Sequence, residues 1–217
     1  MGDGMVKNVN TNKLVGIVGN IGEGKDTIAD YLVNQHNFKR ESFAGTLKDA
    51  VSAVFGWDRT LLEGQTTESR EWREQVDQWW ADKLNIPNLT PRYVLQQWGT
   101  EVCRRSFHDA IWVASLENKL RNITTNVVIS DCRFPNEFAA IKNAGGIIVR
   151  VKRGPDPEWH THAQGALAGK IEDILILKEF GIHESEWAWY GLTVDYTIDN
   201  NSTLDALYAK ITEIIKI

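Results

Sequence analysis

One feature near the start of the chain constrains it most: a short apolar run that passes directly into a glycine-rich loop. Leu14-Val15-Gly16-Ile17-Val18 is followed by Gly19-Asn20-Ile21-Gly22-Glu23-Gly24-Lys25-Asp26-Thr27. After Lys25 the apolar residues Ile28, Ala29, Leu32 and Val33 fall on one helical face. Strand, curled loop and helix in that order read as a phosphate-binding P-loop. Glycines let backbone N–H groups turn inward on phosphate oxygens, the helix contributes its positive N-terminal end, and Lys25 contributes a full charge. Every residue from Gly19 to Thr27 is therefore a candidate nucleotide ligand. The strict pattern places Ser or Thr directly after the lysine, as a magnesium ligand. Here Asp26 stands there and Thr27 follows, so both are candidate metal ligands.

The remaining pattern alternates strands and helices. A strand is predicted over 13–19, a helix from 25 to about 34, a second strand over 38–43 and a helix over 46–55. From 57 to about 121 the chain is polar, tryptophan-rich and helical in pattern, with Thr90-Pro91 as a helix cap and Asp109 as another. Parallel-sheet character returns at Asn126-Val127-Val128-Ile129-Ser130-Asp131. A helix over 135–144, stopped by Gly145-Gly146, leads to a strand over 147–151. After a long irregular-to-helical stretch over 154–189, a strand is predicted over 194–198. A helix over 202–215, capped by Asn201 or Ser202, closes the chain. Such alternation implies an α/β fold, a parallel sheet flanked by helices. Residues 13–56 and 122–217 would form its core. The insert at 57–121 and a lid segment at 154–189 would rise from the strand carboxyl ends, where open α/β sheets bind ligands. Residues 1–12, without periodicity, read as a flexible leader.

Composition narrows the partners. The 217 residues carry a formal net charge of −5, which gives no electrostatic support to a non-specific nucleic-acid or membrane-surface role. No apolar run approaches the length of a membrane span and no signal peptide is visible, so a cytoplasmic setting is expected. The two cysteines, Cys103 and Cys132, lack metal-type spacing and fit a reducing compartment. His160, His162 and His183 make a poor zinc set for the same reason of spacing. Most of the nine tryptophans are expected in the core or in pocket walls.

A second chemical signal is the strand read at Val127-Val128-Ile129-Ser130-Asp131. Asp131 ends it, where P-loop proteins keep a carboxylate that holds magnesium, often through water. Arg133, two places on, is placed to clamp a phosphate. A strand-end Asp is also a common turn or helix cap.

With these segments in view, the chain resembles the phage-type deoxynucleoside monophosphate kinases of the P-loop nucleoside monophosphate kinase superfamily. The matching pieces are Gly19 to Thr27 with its Gly-Lys-Asp-Thr ending, Phe43-Ala44-Gly45-Thr46-Leu47-Lys48, Trp98-Gly99-Thr100-Glu101, Ile111-Trp112-Val113 and Asp131 to Glu137. His183-Glu184-Ser185-Glu186 and Asp195-Tyr196-Thr197-Ile198-Asp199-Asn200 complete the series. The resemblance implies transfer of the γ-phosphoryl of ATP, with Mg2+, to a deoxynucleoside monophosphate. It implies a host-cell cytoplasmic setting if the chain is phage-encoded, and leaves room for a homodimer. Lys25, Asp131 and Arg133 would carry the reaction. The stretch after Arg150, Lys152 and Arg153 is poor in the arginines that family lids use, which leaves Arg150 and Arg153 as the lid's candidate phosphate ligands.

For the acceptor, Lys48 starts a helix on the expected side. Among Arg70, Arg73, Arg92, Arg104 and Arg105 in the insert, Arg70 and Arg92 are the choices for its phosphate. Gln97 and Trp98 are the choices for its base, by amide hydrogen bonds and stacking. Trp98 as plain core, and Asn200 and Asn201 as plain turn residues rather than adenine neighbours, remain open alternatives. Another small acceptor, such as dephospho-coenzyme A, phosphomevalonate or a ribonucleotide, is the alternative within kinases. A non-kinase nucleotide-binding module is the alternative outside them, although a GTPase would need an Asn-Lys-x-Asp motif that is missing.

Overall fold

The structure, a computed structural model, describes residues 12–216. The expected leader lies outside these residues but for Asn12. Five strands form one sheet: β1 (Leu14–Val18), β2 (Lys39–Glu41), β3 (Val127–Ile129), β4 (Ile147–Lys152) and β5 (Tyr196–Asp199). Their spatial order is β2-β3-β1-β4-β5, and every pairing is parallel. Parallel neighbours require crossovers, and helices supply them on both faces.

On one face lie α1 (Lys25–His36) and the last helix, Leu204–Ile215. Ile28, Ala29 and Leu32 of α1 pack with Leu207, Ile211 and Ile215 over Val15, Ile17, Val149 and Ile198. The other face carries Ile111–Leu120 and Pro135–Asn143, whose Val113, Leu116, Phe138 and Ile141 cover Val127, Ile129 and Ile148. Gly16 lets this second layer close in, since a Cβ there would meet Ile141 Cδ1 at 2.6 Å.

Between β2 and β3 the chain builds α2 (Gly45–Phe55), α3 (Thr67–Glu74), α4 (Gln78–Leu84), α5 (Pro91–Gln96), a π-helix (Gln97–Phe107) and α6 (Ile111–Leu120). This region has a core of its own. Leu47, Val51, Phe55, Leu62, Leu89 and Val94 are buried with Trp57 and Trp112, and Trp72, Trp80 and Trp98 pack around them. The indole N–H groups keep partners inside it: Trp57 donates to Asp77 Oδ2 at 2.7 Å, Trp80 to Phe55 O at 3.0 Å and Trp112 to Gly99 O at 2.8 Å. Most of the tryptophans are thus core, as expected, although Trp79 is exposed. After β3 comes α7 (Pro135–Asn143). After β4 come α8 (His160–Leu167), α9 (Ile171–Glu179) and α10 (Glu184–Trp187), and α11 (Leu204–Ile215) ends the described chain.

Several boundaries differ from the sequence reading. Strand β2 is three residues long rather than 38–43, because the chain turns at Ser42 to follow hydrogen bonds to Asp131. Strand β5 starts at Tyr196 rather than 194, since Asp195 is held by its side chain on Ile148 N at 2.7 Å. Asp109 does not cap α6. Ala110 takes that position, while the Asp109 carboxylate accepts from Asn136 Nδ2 at 2.7 Å. The cap of α11 is Thr203, whose hydroxyl accepts from Ala206 N at 3.3 Å, not Asn201 or Ser202. Thr90 and Pro91 cap α5 as expected.

Candidate active site

The P-loop runs from the carboxyl end of β1 into α1. Gly24 sits at the helix N-cap with φ 106°, a left-handed conformation that favours glycine. A Cβ there would also meet Asn200 Nδ2 at 2.5 Å, and that amide donates to Glu23 O at 2.8 Å. Glu23 is buried inside the loop, where its carboxylate accepts from the backbone N and side-chain amide of Asn20. Lys25 folds back on the same loop, donating to Asn20 O at 2.7 Å. Burial, then the nearby Arg133, lowers its pKa to about 8. Tyr190, in the segment after α10, donates to Asn20 Oδ1 at 2.7 Å and so ties that segment to the loop.

Asp26 opens into a network absent from the sequence reading. Its Oδ1 accepts from Arg40 of β2 and, at 3.0 Å, from Ser130 Oγ. Arg40 also reaches Ser130 Oγ at 2.7 Å and Asp30 at 2.8 Å. Asp131, expected at a metal, holds a loop in this structure. It accepts from Ser42 Oγ at 2.8 Å, Phe43 N at 3.1 Å and Ala44 N at 2.9 Å. Three donors on one carboxylate fix the turn between β2 and α2, and with it the start of the acceptor side.

A cleft of about 730 Å³ opens from the P-loop toward α3, α5 and the π-helix. Lys25 and Asp26 stand at one end, Phe43, Leu47, Leu95, Trp112 and Phe134 supply an apolar wall, and arginines line the rest. Those arginines are not equivalent. Arg70 holds the carbonyls of Gly64, at 3.1 Å, and Gln65, at 3.3 Å. Arg92 lies 3.3 Å from Glu74 and 3.9 Å from Glu186. Arg133 pairs with Glu186 at 2.8 Å and donates to Ser185 O at 3.0 Å. Arg73 has no ion pair or hydrogen bond among the described residues, and its Nε is buried without a partner. Burial and then Arg92 push its pKa below the ordinary arginine value. Its guanidinium lies against Gly64, where a Cβ would come within 2.0 Å of Nη2.

Behind the cleft, Arg104 and Glu137 form a buried ion pair, with Arg104 4.0 Å over the Phe134 ring. Glu137 also accepts from Arg133 N at 2.7 Å and Phe134 N at 3.2 Å, which fixes the turn carrying Arg133 into α7. Burial raises the Glu137 carboxyl to about 7 despite Arg104.

Of the expected site residues, Lys25, Asp26, Asp131, Arg133, Lys48, Arg70 and Arg92 all border this cleft, as do Ile21 and Gly22. Lys48 is paired there with Glu63 at 2.6 Å. Asn20, Ile21 and Glu23 border a contiguous opening of about 570 Å³ together with Arg153. Gly19, Gly24 and Thr27 are loop and first-turn residues behind these walls. Arg150 is elsewhere: it pairs with Asp156 at 3.2 Å and lies 5.2 Å from the Trp189 ring. Gln97 and Trp98 do not border the cleft. Trp98 packs 5.6 Å from Phe55, and Gln96 is the glutamine that faces the opening.

No family model matches the chain. A protein of Acanthamoeba polyphaga mimivirus assigned as a deoxynucleotide monophosphate kinase is 30% identical over 187 residues, covering 79% of this chain and 91% of that one. The chain belongs to the deoxynucleoside monophosphate kinase family. The deoxynucleoside-5'-monophosphate kinase of Escherichia phage T5 is 28% identical over 173 residues, covering 57% of this kinase and 69% of its own chain. Solved P-loop kinases align over most of the length but loosely. Dephospho-CoA kinase from Campylobacter jejuni covers 94% of this chain and 96% of its own, with a TM-score of 0.42 at 12% identity. Shikimate kinase from Aquifex aeolicus covers 94% and 96%, with a TM-score of 0.40 at 11% identity. Likeness at that level says nothing of the substrate.

Two residues of the kinase's site had no distinguishing mark in sequence. Arg73 is one of seven arginines between 57 and 121, and only the structure shows that its Nε is buried without a partner among the described residues. Arg40 lies on a short polar strand whose pattern gave no reason to single it out, and only the fold carries it to Asp26 and Ser130.

Proposed function

We propose that this kinase transfers the γ-phosphoryl group of ATP to the α-phosphate of a deoxynucleoside monophosphate, giving ADP and a deoxynucleoside diphosphate. The observation that carries the reading is the unpartnered Arg73 beside Arg92 and Arg133, facing the P-loop lysine across a cleft with an apolar wall. A half-buried guanidinium with no ion pair among the described residues, set beside other arginines, suits an anion from outside. An anion carrying a flat apolar body suits the rest of the lining.

In this reading an acceptor phosphate oxygen attacks the γ-phosphorus while the bond to the β–γ bridging oxygen breaks, and its electron pair leaves with ADP. The acceptor is already ionised, so no nucleophilic side chain is needed. Lys25 and the P-loop N–H groups hold the donor phosphates, and Arg73, Arg92 and Arg133 orient the acceptor's. Magnesium, when bound with ATP, neutralises charge across the β- and γ-phosphates. Asp26 and Thr27 would hold it or its water shell. Hard oxygen donors suit that ion, and Asp26 Oδ2 has no protein partner among the described residues. Residues 57–121 would serve as the acceptor-binding insert and 154–189 as the lid, with Arg153, which borders the opening beside the P-loop, as the candidate phosphate ligand at its start. A substrate drawn from the nucleotide pool suits a cytoplasmic setting. Among the described residues no helix is long and apolar enough to cross a membrane.

A coupled assay of ADP release, run with a panel of deoxynucleoside and ribonucleoside monophosphates and with dephospho-coenzyme A, tests the reading. Turnover is expected with one or more deoxynucleoside monophosphates. Turnover confined to another acceptor would replace it.

A further inference from the structure

A carboxylate stands where the proposed reaction would put a phosphate. Glu186 of α10 reaches into the cleft with 16% of its side chain exposed, and its Oε1 lies 2.8 Å from Arg133 Nη1 and 3.9 Å from Arg92 Nη2. Burial works against ionisation there, yet Arg133, then Arg92 and Lys25, hold the carboxyl below its ordinary pKa. Glu186 is therefore an anion at rest among the cations of the phosphate site. The helix that carries it is anchored separately, because Glu184 pairs with Arg105 of the π-helix at 2.6 Å and His183 caps its start. The Glu186 side chain can swing away by changing rotamer while α10 stays in place.

We infer that Glu186 occupies the seat of the acceptor's phosphate in the free enzyme and sets a charge threshold for entry. The inference rests on the kinase reading above. A monoanion arriving at Arg92 and Arg133 only exchanges one negative charge for another, so it gains little. A neutral nucleoside offers nothing to the guanidinium groups Glu186 leaves. A phosphate dianion brings a second charge, which Arg73, still unpartnered, is placed to receive. Glu186 would thus set a floor on the charge a ligand needs for measurable binding, which nucleoside monophosphates clear and less charged relatives do not.

The test is calorimetric binding, without ATP, of the preferred deoxynucleoside monophosphate as its dianion at pH 8 and of the monomethyl phosphate ester of the same nucleotide, a monoanion. Each is compared between wild type and Glu186→Gln, so the methyl group's own effect cancels. At the separation of adjacent charged groups in a partly buried site, loss of the carboxylate charge should tighten ester binding about tenfold or more. The displacement cost is common to both ligands and the lost charge repels a dianion at least as strongly, so the dianion should tighten by a similar or larger factor. Thermal melts report whether the variant is folded. Should Glu186→Gln not fold, Glu186→Asp, which reaches Arg133 less well, should tighten ester binding in the same direction by less. A folded variant with unchanged or weaker ester binding would overturn the inference. Wild type that binds neither nucleotide would instead remove the kinase reading, so the two failures are distinguishable.

Discussion

Replacing Arg73 by Met should weaken the reaction and strengthen the fold at once. Methionine keeps the aliphatic stem and removes the guanidinium, which in the free enzyme has no counter-ion and lies beside Arg92 and against Gly64. If Arg73 makes two charge-assisted hydrogen bonds to the acceptor phosphate, each worth about 1.5–3 kcal/mol, their loss costs about 3–6 kcal/mol. Arg92 and Arg133 remain and take up part of the charge, so the lower end applies, and about 3 kcal/mol is a loss of roughly 100-fold in kcat/KM for the monophosphate. The Michaelis constant for ATP should stay within a few-fold. Relief of an unpaired charge in a positive cluster should add about 1 kcal/mol of stability, or about 2–4 °C in Tm for a chain of this size. Steady-state kinetics with each substrate varied, and a calorimetric melt, read both. A variant with unchanged acceptor kinetics and a lower Tm would refute the reasoning, since it would make Arg73 a structural residue.

Two further outcomes follow from the site. Lys25 in the free enzyme releases its proton near pH 8, so kcat/KM for ATP should fall about tenfold per pH unit above that value. Between about 8 and the unfolded value of 10.5 the unfolded chain holds a proton that the folded one has lost, so this group makes stability rise with pH across that window, which melts at several pH values would check. Asp131→Asn should destabilise by about 2 kcal/mol, because an amide oxygen cannot serve Ser42, Phe43 and Ala44 as a carboxylate does. Turnover should fall while the half-saturating magnesium concentration stays put, and a shifted magnesium titration would return Asp131 to the metal.

The parts of this kinase legible in sequence are those whose physics is local. Gly22, Gly24 and Lys25 declare the P-loop because backbone curvature needs glycine at fixed spacing, and Thr90-Pro91 declares a helix start because the cap is made within four residues. The parallel sheet followed from strand and helix alternation. What sequence did not carry was partnership across the fold. Arg70 and Arg73 look alike three residues apart, yet Arg70 is bound to loop carbonyls and Arg73 to no partner among the described residues. Asp131 reads equally as metal ligand or turn holder until Ser42 to Ala44 is brought beside it. Gln97 is a base-contact candidate by its amide chemistry, and only the fold shows that its neighbour Gln96 borders the cleft instead. Asp26 gained its Arg40 partner only through the pairing of β2 with β3.

The central claim, phosphoryl transfer from ATP to a deoxynucleoside monophosphate at the P-loop, is tested most directly by following the label itself. ATP labelled at the γ-phosphate is incubated with the enzyme and a deoxynucleoside monophosphate, and the products are separated by charge. The label should appear in the deoxynucleoside diphosphate with wild type and stay in ATP with Lys25→Ala, whose fold is checked by its melt. Label released as inorganic phosphate, or transfer within tenfold of wild type by the Lys25→Ala variant, would contradict the account.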